Sequence, residues 1–374
     1  MIGVIHMGMV VQMLLVGAGR SPDEFINIEK LSNRVILAYW VGTDRRCNLT
    51  AIQSQKGLVI IDTEMSPRIM APIKARIERI FGRSDWTYVI NTHAHDNHAG
   101  GNSLFPGATI VGHDNVAAEM QPWVRRQTEP EWKNRVLAQA NQLIGNLRAY
   151  LPQVARNRGQ TRIIQGEIKF WELHMQDLRE GYPLVPPTLT FADRHTIDLG
   201  GLTLELFYFG KGHSNCDILI YVPQERLLVT GGVIYQRACV PEVAEETTLQ
   251  DVHRFLAVLD RFVPAEVKID HVVPGHSVPL EKKDLLAVRD YYQRMLVGVQ
   301  AAQQEGLTLE QTMSRLALKT NFPAFRDPPA GWSHGFHERS LKNLWRILKE
   351  EQQPSKAESG KTASPPPSPM VDHK

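Results

Sequence analysis

Three histidines occupy six consecutive positions directly after a short apolar run. The run from Trp86 to Ile90 has the length and composition of a buried strand, and His93, His95 and His98 follow it closely. Imidazole suits zinc, iron and copper, and catalytic zinc sites usually take three protein ligands and leave one position open. A strand end with three imidazoles predicts a metal site, so the fold must bring further ligands to this point.

Two more histidines follow glycines at distant places in the chain. His213 follows Gly212, and His276 follows Pro274 and Gly275. Glycine lets the backbone turn sharply and brings a neighbouring ring close to a metal without a Cβ clash. His213 and His276 are therefore candidate ligands.

These motifs, in this order, resemble the metallo-β-lactamase superfamily. The family pattern is T-H-x-H-x-D-H, then a G-H turn, then an Asp or Cys after a glycine, then P-G-H. Order and spacing agree from about residue 31 to residue 280. The resemblance implies an α/β fold of layered α+β type, an αββα sandwich with metals at one edge. It also implies a set of metal ligands and one bracing carboxylate at the end of an apolar strand; the ligands are His93, His95, His213, His98 and His276, and the brace is Asp62.

Two positions depart from the family pattern. Asn97 stands where the family has the aspartate that binds a second metal and orients the attacking water, and Gly232-Val233 stands where it has a bridging Asp or a thiolate Cys. The second ligand group, Asn97 with His98 and His276, is therefore neutral and offsets less of the cost of desolvating a dication. We predict one firmly held zinc and a second metal that is weak or absent. Iron and manganese would also fit an imidazole-rich site.

The residues next to the histidines offer two catalytic candidates, Asn97 and Asp96. Asn97 can form hydrogen bonds but cannot accept a proton. Asp96 stands one position before the family's aspartate. It either swings in to replace the missing carboxylate or forms a hydrogen bond within the turn as an Asx residue. The second alternative is favoured because adjacent side chains in a tight turn point in different directions. Cysteines add little, since three of them without C-x-x-C spacing argue against a disulfide framework, and Cys216 is interpreted as a packing residue.

Composition and length indicate a soluble enzyme. The chain has 374 residues, 43% of them hydrophobic, and a net charge of +2. No basic stripe and no phosphate loop occur, so we expect a small-molecule substrate and no nucleic acid. Residues 1–21 are apolar and resemble a signal peptide without a positive n-region, too short for a stable membrane span. We expect a periplasmic or exported protein, with a cytoplasmic one as the alternative.

The expected organisation has four parts. Residues 22–280 form the sandwich, 281–351 a helical extension, and 352–374 a disordered tail rich in Pro, Ser and Lys. Residues 116–186 form a helical insertion, with helices predicted at 132–150 and 165–179. The insertion either covers the substrate or forms a homodimer, or it only packs on the sandwich. Its tryptophans line a pocket or, as aromatics at helical spacing more often do, belong to the core; they are Trp123, Trp132 and Trp171.

The leading hypothesis is a metal-dependent hydrolase. A zinc on three histidines lowers the pKa of its water toward neutrality and polarises a carbonyl, so hydroxide attack on a lactam, lactone, ester or thioester follows. The missing aspartates favour a small neutral or weakly charged substrate. The alternative is a weakened or inactive metal-binding accessory protein of the same fold.

Overall fold

Two β-sheets pack face to face in the computed structural model of the protein, which describes residues 21–42, 47–234, 242–326 and 335–352. The first sheet has seven strands in chain order: β1 Ile26–Lys30, β2 Val35–Trp40, β3 Leu49–Ser54, β4 Gly57–Ile61, β5 Trp86–Ile90, β6 Thr109–His113 and β7 Leu189–Phe191. The second has five strands, ordered 12-11-10-9-8: β8 Arg194–Asp198, β9 Thr203–Tyr208, β10 Ile218–Val222, β11 Leu227–Gly231 and β12 His271–Pro274.

The space between the sheets is filled by one cluster of buried aliphatic side chains. Leu37 and Val59 from the first sheet meet Leu206 and Ile220 from the second, and all four are buried. Successive side chains of a strand point to opposite faces, so each sheet also has an outward face to cover. Helices cover both outward faces, which makes four layers.

The helices divide between the two outward faces. Buried residues of α1, α4 and α5 join the first sheet's outer core, and those of α6, α7 and α10 join the second sheet's. The helices are α1 Pro67–Phe81, α2 Asp96–Ala99, α3 Val116–Thr128, α4 Pro130–Val154, α5 Arg158–Glu180, α6 Leu249–Asp260, α7 Lys282–Gln304, α8 Leu309–Arg315, α9 Leu318–Asn321 and α10 Phe336–Glu351. The predicted αββα sandwich with a helical insertion and C-terminal helices is confirmed.

The ends of parallel strands bring the site together. In the first sheet β5 runs parallel to both of its neighbours, β4 and β6. In the second sheet β11 runs parallel to β12. The carboxyl ends of parallel strands meet at one edge, so Asp62, the first histidine motif, Gly232 and His276 emerge side by side. The fold therefore assembles its candidate site from loops that are far apart in sequence.

Helix α3 contacts α4 but packs on a different part of the sandwich from the other two helices of the insertion. Its buried residues Val116 and Met120 pack against Ala94, Ala99 and Cys216, in the loops that carry the histidines. Helices α4 and α5 pack on the outer face of the first sheet instead. The sequence did not predict α3, because Pro122 interrupts its pattern. Helices α4 and α5 thus pack on the sandwich, and α3 packs on the loops that carry the histidines.

Several expectations concern segments beyond the described ranges. The proposed signal peptide covers residues 1–21, of which only Ser21 is described, and the predicted tail lies outside the described residues except for Gln352. Within the ranges that are described, none of the helices combines the length and apolar character needed to cross a bilayer.

Candidate metal centre

Three imidazoles converge at the edge of the sandwich. Ligand atoms of His93, His95 and His213 all lie within 4.8 Å of one another. Nε2 of His213 is 3.1 Å from Nδ1 of His95, close to the roughly 3.3 Å between two nitrogens on a tetrahedral zinc. Nε2 of His93 is buried without a hydrogen-bond partner. Such orphaned buried atoms are rare, and a bound ion accounts for one. The donor set fits a zinc ion.

The three rings are neutral near pH 7. Burial, followed by the nearby imidazoles, holds the pKa of His93 well below its ordinary value. Burial and the charge of His98 lower the pKa of His95 to about 4, and desolvation lowers the pKa of His213 strongly. Metal ligation requires unprotonated imidazole, so the surroundings prepare the rings for a cation.

Asp62 orients two of the histidines. Its Oδ1 accepts a bond of 2.8 Å from the Thr92 amide, and its Oδ2 accepts one of 2.8 Å from the Thr92 hydroxyl. The hydroxyl is 3.0 Å from Nδ1 of His93 and, having given its proton to Asp62, accepts from that nitrogen. Nδ1 of His98 also donates to Oδ2 of Asp62, at 2.8 Å. Both rings therefore present an unprotonated Nε2 to the site.

The second predicted group also comes together. Nε2 of His276 lies 3.3 Å from Nε2 of His98 and 3.3 Å from Nδ2 of Asn97. The turn that carries His276 is held by Asn48, whose Nδ2 donates to the carbonyls of Pro274 and Ser277 at 2.8 Å each. His93 and His98 have ring centroids 4.1 Å apart, so the two groups adjoin.

Asp96 faces the backbone. Its Oδ1 accepts a bond of 2.8 Å from the amide of Asn97, as expected of the Asx alternative. Burial raises the pKa of its carboxyl to about 6. Among the described residues, the group able to hold a metal comprises three histidines and does not include Asp96.

Comparison with known proteins agrees with this geometry. The sequence profile of the metallo-beta-lactamase superfamily matches residues 42–276. The chain belongs to the metallo-β-lactamase superfamily. The predicted resemblance is thereby confirmed.

Individual relatives of the superfamily are distant. The metallo-beta-lactamase type 2 of Bacillus sp. (strain 170) is 23% identical over 274 residues, or 71% of this chain and 81% of that protein. The type 2 enzyme of Bacteroides fragilis is 28% identical over 103 residues, 27% of this chain and 40% of that relative. The sec-alkylsulfatase Pisa1 from Pseudomonas sp. aligns in structure with a TM-score of 0.53 and 15% identity, over 91% of this chain and 52% of that one. This last likeness concerns the fold.

Gly232 stands where the superfamily pattern has its bridging ligand, and His213 has taken the space. A Cβ added to Gly232 would lie 2.2 Å from Cδ2 of His213 and 3.0 Å from its Nε2. Real Cβ atoms do not approach other atoms at 2.2 Å. The second group has therefore lost both its carboxylate and the room for one.

Several residues at the site were not predicted from the sequence. Sγ of Cys47 lies 3.5 Å from Nδ1 of His98, on the Asp62 side of the ring and away from its free Nε2. Glu64 is fully buried in a left-handed conformation, and burial raises the pKa of its carboxyl to about 8. No local sequence pattern identifies either residue. In the structure, the left-handed φ angles of Asp62 (63°) and Glu64 (62°) show that the chain turns tightly here.

The tryptophans of the insertion have different roles. Trp171 is a core residue whose Nε1 donates to Glu167, as the core interpretation predicts. Trp123 instead stands edge to face on His95, with ring centroids 5.6 Å apart. Cys216 is buried between α3 and the histidine loop, in agreement with its interpretation as a packing residue.

Proposed function

We propose that the protein is a metal-dependent hydrolase that holds one zinc on His93, His95 and His213 and cleaves a lactam, lactone, ester or thioester bond of a small molecule. The observation that carries the proposal is the orphaned Nε2 of His93, buried and within 4.8 Å of ligand atoms on two neutral imidazoles. Membership of a superfamily composed mostly of metal-dependent hydrolases supports the reaction class.

The chain's own residues divide the work at this site. When bound, zinc supplies Lewis acidity and a water of lowered pKa. Asp62 and Thr92 hold the His93 ring so that Nε2 faces the site, and Asp62 does the same for His98. Asn97 and His276 line the adjoining half of the pocket with neutral hydrogen-bonding groups. They orient a substrate without contributing a negative charge.

A weakened or inactive accessory protein is the second candidate. It is favoured by the neutral second group and by the closed space at Gly232. The two candidates differ in turnover, since an accessory protein binds metal or ligand without hydrolysis.

Metal content per chain tests the proposal. Elemental analysis after purification without added metal should give about one zinc in the natural protein and almost none in His213→Ala. His253→Ala, an exposed histidine of α6, is the matched control and should keep the metal. Hydrolysis of a lactam, lactone and thioester panel should follow metal content. A natural protein without metal overturns the proposal, and metal without turnover selects the accessory role.

We further propose that the chain is exported after removal of residues 1–21, as their apolar composition suggests. Mass spectrometry of the mature N-terminus and cell fractionation test this, and an intact N-terminus in the cytoplasmic fraction contradicts it. Homodimer formation through the insertion is a separate proposal, tested by sedimentation of the purified protein.

A further inference from the structure

A tryptophan of α3 contacts the metal centre, and an arginine of the same helix lies on its ring. Cζ of Arg126 lies 4.9 Å from the ring centroid of Trp123, and the same ring stands 5.6 Å from His95. The same indole therefore contacts both a guanidinium and a candidate zinc ligand. Among the residues that the structure describes, Arg126 forms no salt bridge, but its positive charge acts on the carboxyl of Asp96 and partly offsets the rise that burial causes in the pKa of that group.

The packing of α3 fixes this arrangement. Val116 and Met120, one turn apart, are buried against both histidine-bearing loops. Trp123 follows Met120 by three residues and continues the same helical face, and Arg126 follows Trp123 by three more. The helix is thus anchored by its first half, and its second half carries the ring that contacts His95 and the cation that lies on that ring.

The charge balance of the pocket favours a negative ligand. A dication held by three neutral imidazoles keeps its full charge, and the adjoining Asn97 and His276 contribute no negative charge to offset it. Of the carboxylates around the histidines, Asp62 bonds Thr92 and His98, whereas Asp96 bonds the backbone and is close enough to Arg126 to feel its charge. Glu119, also on α3, interacts with Asp217, and its negative charge helps to raise the pKa of that carboxyl.

We propose that Arg126, seated on Trp123, is a specificity-determining residue that binds an anionic group of the substrate, a carboxylate or a sulfate, beside the bond to be cleaved. Guanidinium pairs with both groups through two parallel hydrogen bonds, and the indole face limits its motion. This inference rests on the proposed hydrolase function and replaces the neutral or weakly charged substrate expected from the sequence with an anionic one.

Binding of inert anions by calorimetry tests the inference without turnover. The probes are two matched pairs, phenylacetate with phenylacetamide and benzenesulfonate with benzenesulfonamide, titrated into zinc-loaded and metal-free protein. The variants are Arg126→Gln and Arg125→Gln, the neighbouring exposed arginine. The natural protein should prefer the anion of at least one pair, and the pair identifies carboxylate or sulfate. The preference should fall roughly five- to tenfold in Arg126→Gln, also without zinc, and persist in Arg125→Gln.

Each other outcome has a distinct meaning. An unchanged anion preference in Arg126→Gln, or no preference in the natural protein, overturns the role of Arg126. Equal loss in both variants also overturns it, because general surface charge then explains binding. Failure of the hydrolase proposal would appear as missing metal or missing turnover, whereas the binding preference of metal-free protein is measured independently. Circular dichroism checks that the variants, both at exposed positions, remain folded.

Discussion

The ring of His213 occupies the space that a side chain at position 232 would need. A Cβ on Gly232 would stand 2.2 Å from Cδ2 of His213. The His213 ring can take this position because residue 232 has no side chain, and the carboxylate of the superfamily pattern is missing for the same reason. The histidine that completes the three-imidazole group rests against a bare backbone.

Gly232→Ala should therefore weaken the metal centre. The added methyl group must displace the His213 ring, and overpacking of this kind costs about 1–3 kcal/mol. We expect zinc affinity to fall about tenfold or more, measured by competition with a chromogenic chelator. Gly145→Ala, where a Cβ meets nothing within 4 Å on helix α4, is the control and should retain the affinity. Natural affinity in the Gly232 variant would refute the steric account.

Asn97→Asp should raise metal content from about one zinc per chain toward two. The amide nitrogen of Asn97 lies 3.3 Å from Nε2 of His276, so a carboxylate there gives the second group its missing anion. Elemental analysis after dialysis against micromolar zinc measures the change. Asn141→Asp, an exposed position on α4, makes the same charge change away from the site. Two zinc ions already in the natural protein would show that the neutral ligands suffice.

Asp62→Asn should damage both stability and metal binding. The variant loses the charge of a buried group that accepts bonds from the Thr92 amide, the Thr92 hydroxyl and His98. We expect the free energy of unfolding to drop by about 2–4 kcal/mol. Zinc affinity should fall about 10- to 100-fold, as is usual when a partner of a ligating histidine is removed.

The histidine tautomers separate orientation from general destabilisation in this variant. Nitrogen-15 NMR of His98 should show the proton leaving Nδ1 in Asp62→Asn, while Asp198→Asn, at an exposed ion pair with Lys56, should change neither tautomer nor affinity. Retention of the Nδ1 proton in Asp62→Asn would contradict the orienting role.

Glu64 should make the protein less stable as the pH rises. Burial raises the pKa of its carboxyl from 4.5 to about 8, so between these values the folded state holds a proton that the unfolded state has released. Stability from this group is full below pH 4.5 and is lost as pH rises through 8, with a slope of up to about 1.4 kcal/mol per pH unit. Urea unfolding from pH 5 to pH 9 measures the slope.

Glu64→Gln should flatten that pH profile, because the amide cannot ionise. Glu310→Gln, an exposed residue of α8, should leave the profile as it is in the natural protein. An unchanged slope in the Glu64 variant would assign the pH dependence to another group.

Much of the fold followed from local patterns. Strand β5 was predicted with its bounds, and the helices expected at 132–150 and 165–179 lie within α4 and α5, because apolar runs and helical spacing are local signals. Strands β1, β6, β7 and β8 were not predicted. Three-residue β7 is too short for a pattern, and β8 has exposed charged ends, so neither carries a strong hydrophobic period.

The candidate site was predictable to the extent that its ligands are histidines in an ordered series. The grouping of His93 and His95 with His213, and of Asn97 and His98 with His276, follows from that series and from the strand ends that carry them. Cys47 could not be predicted as a neighbour of His98, because the two residues are far apart in sequence. An isolated β-bridge between Cys47 and His276 brings the cysteine to the site. Asp96 had two possible orientations that only its backbone bond decides.

The sequence by itself determined the family, the layered sandwich and the chemical type of each candidate ligand, because motif order and periodicity are properties of the chain alone. The tertiary structure decided which way Asp96 faces, that His213 fills the space at Gly232, and that α3 places Trp123 against His95 with Arg126 on the indole. These three depend on contacts between segments distant in sequence, whose distances are set by how sheets and helices pack.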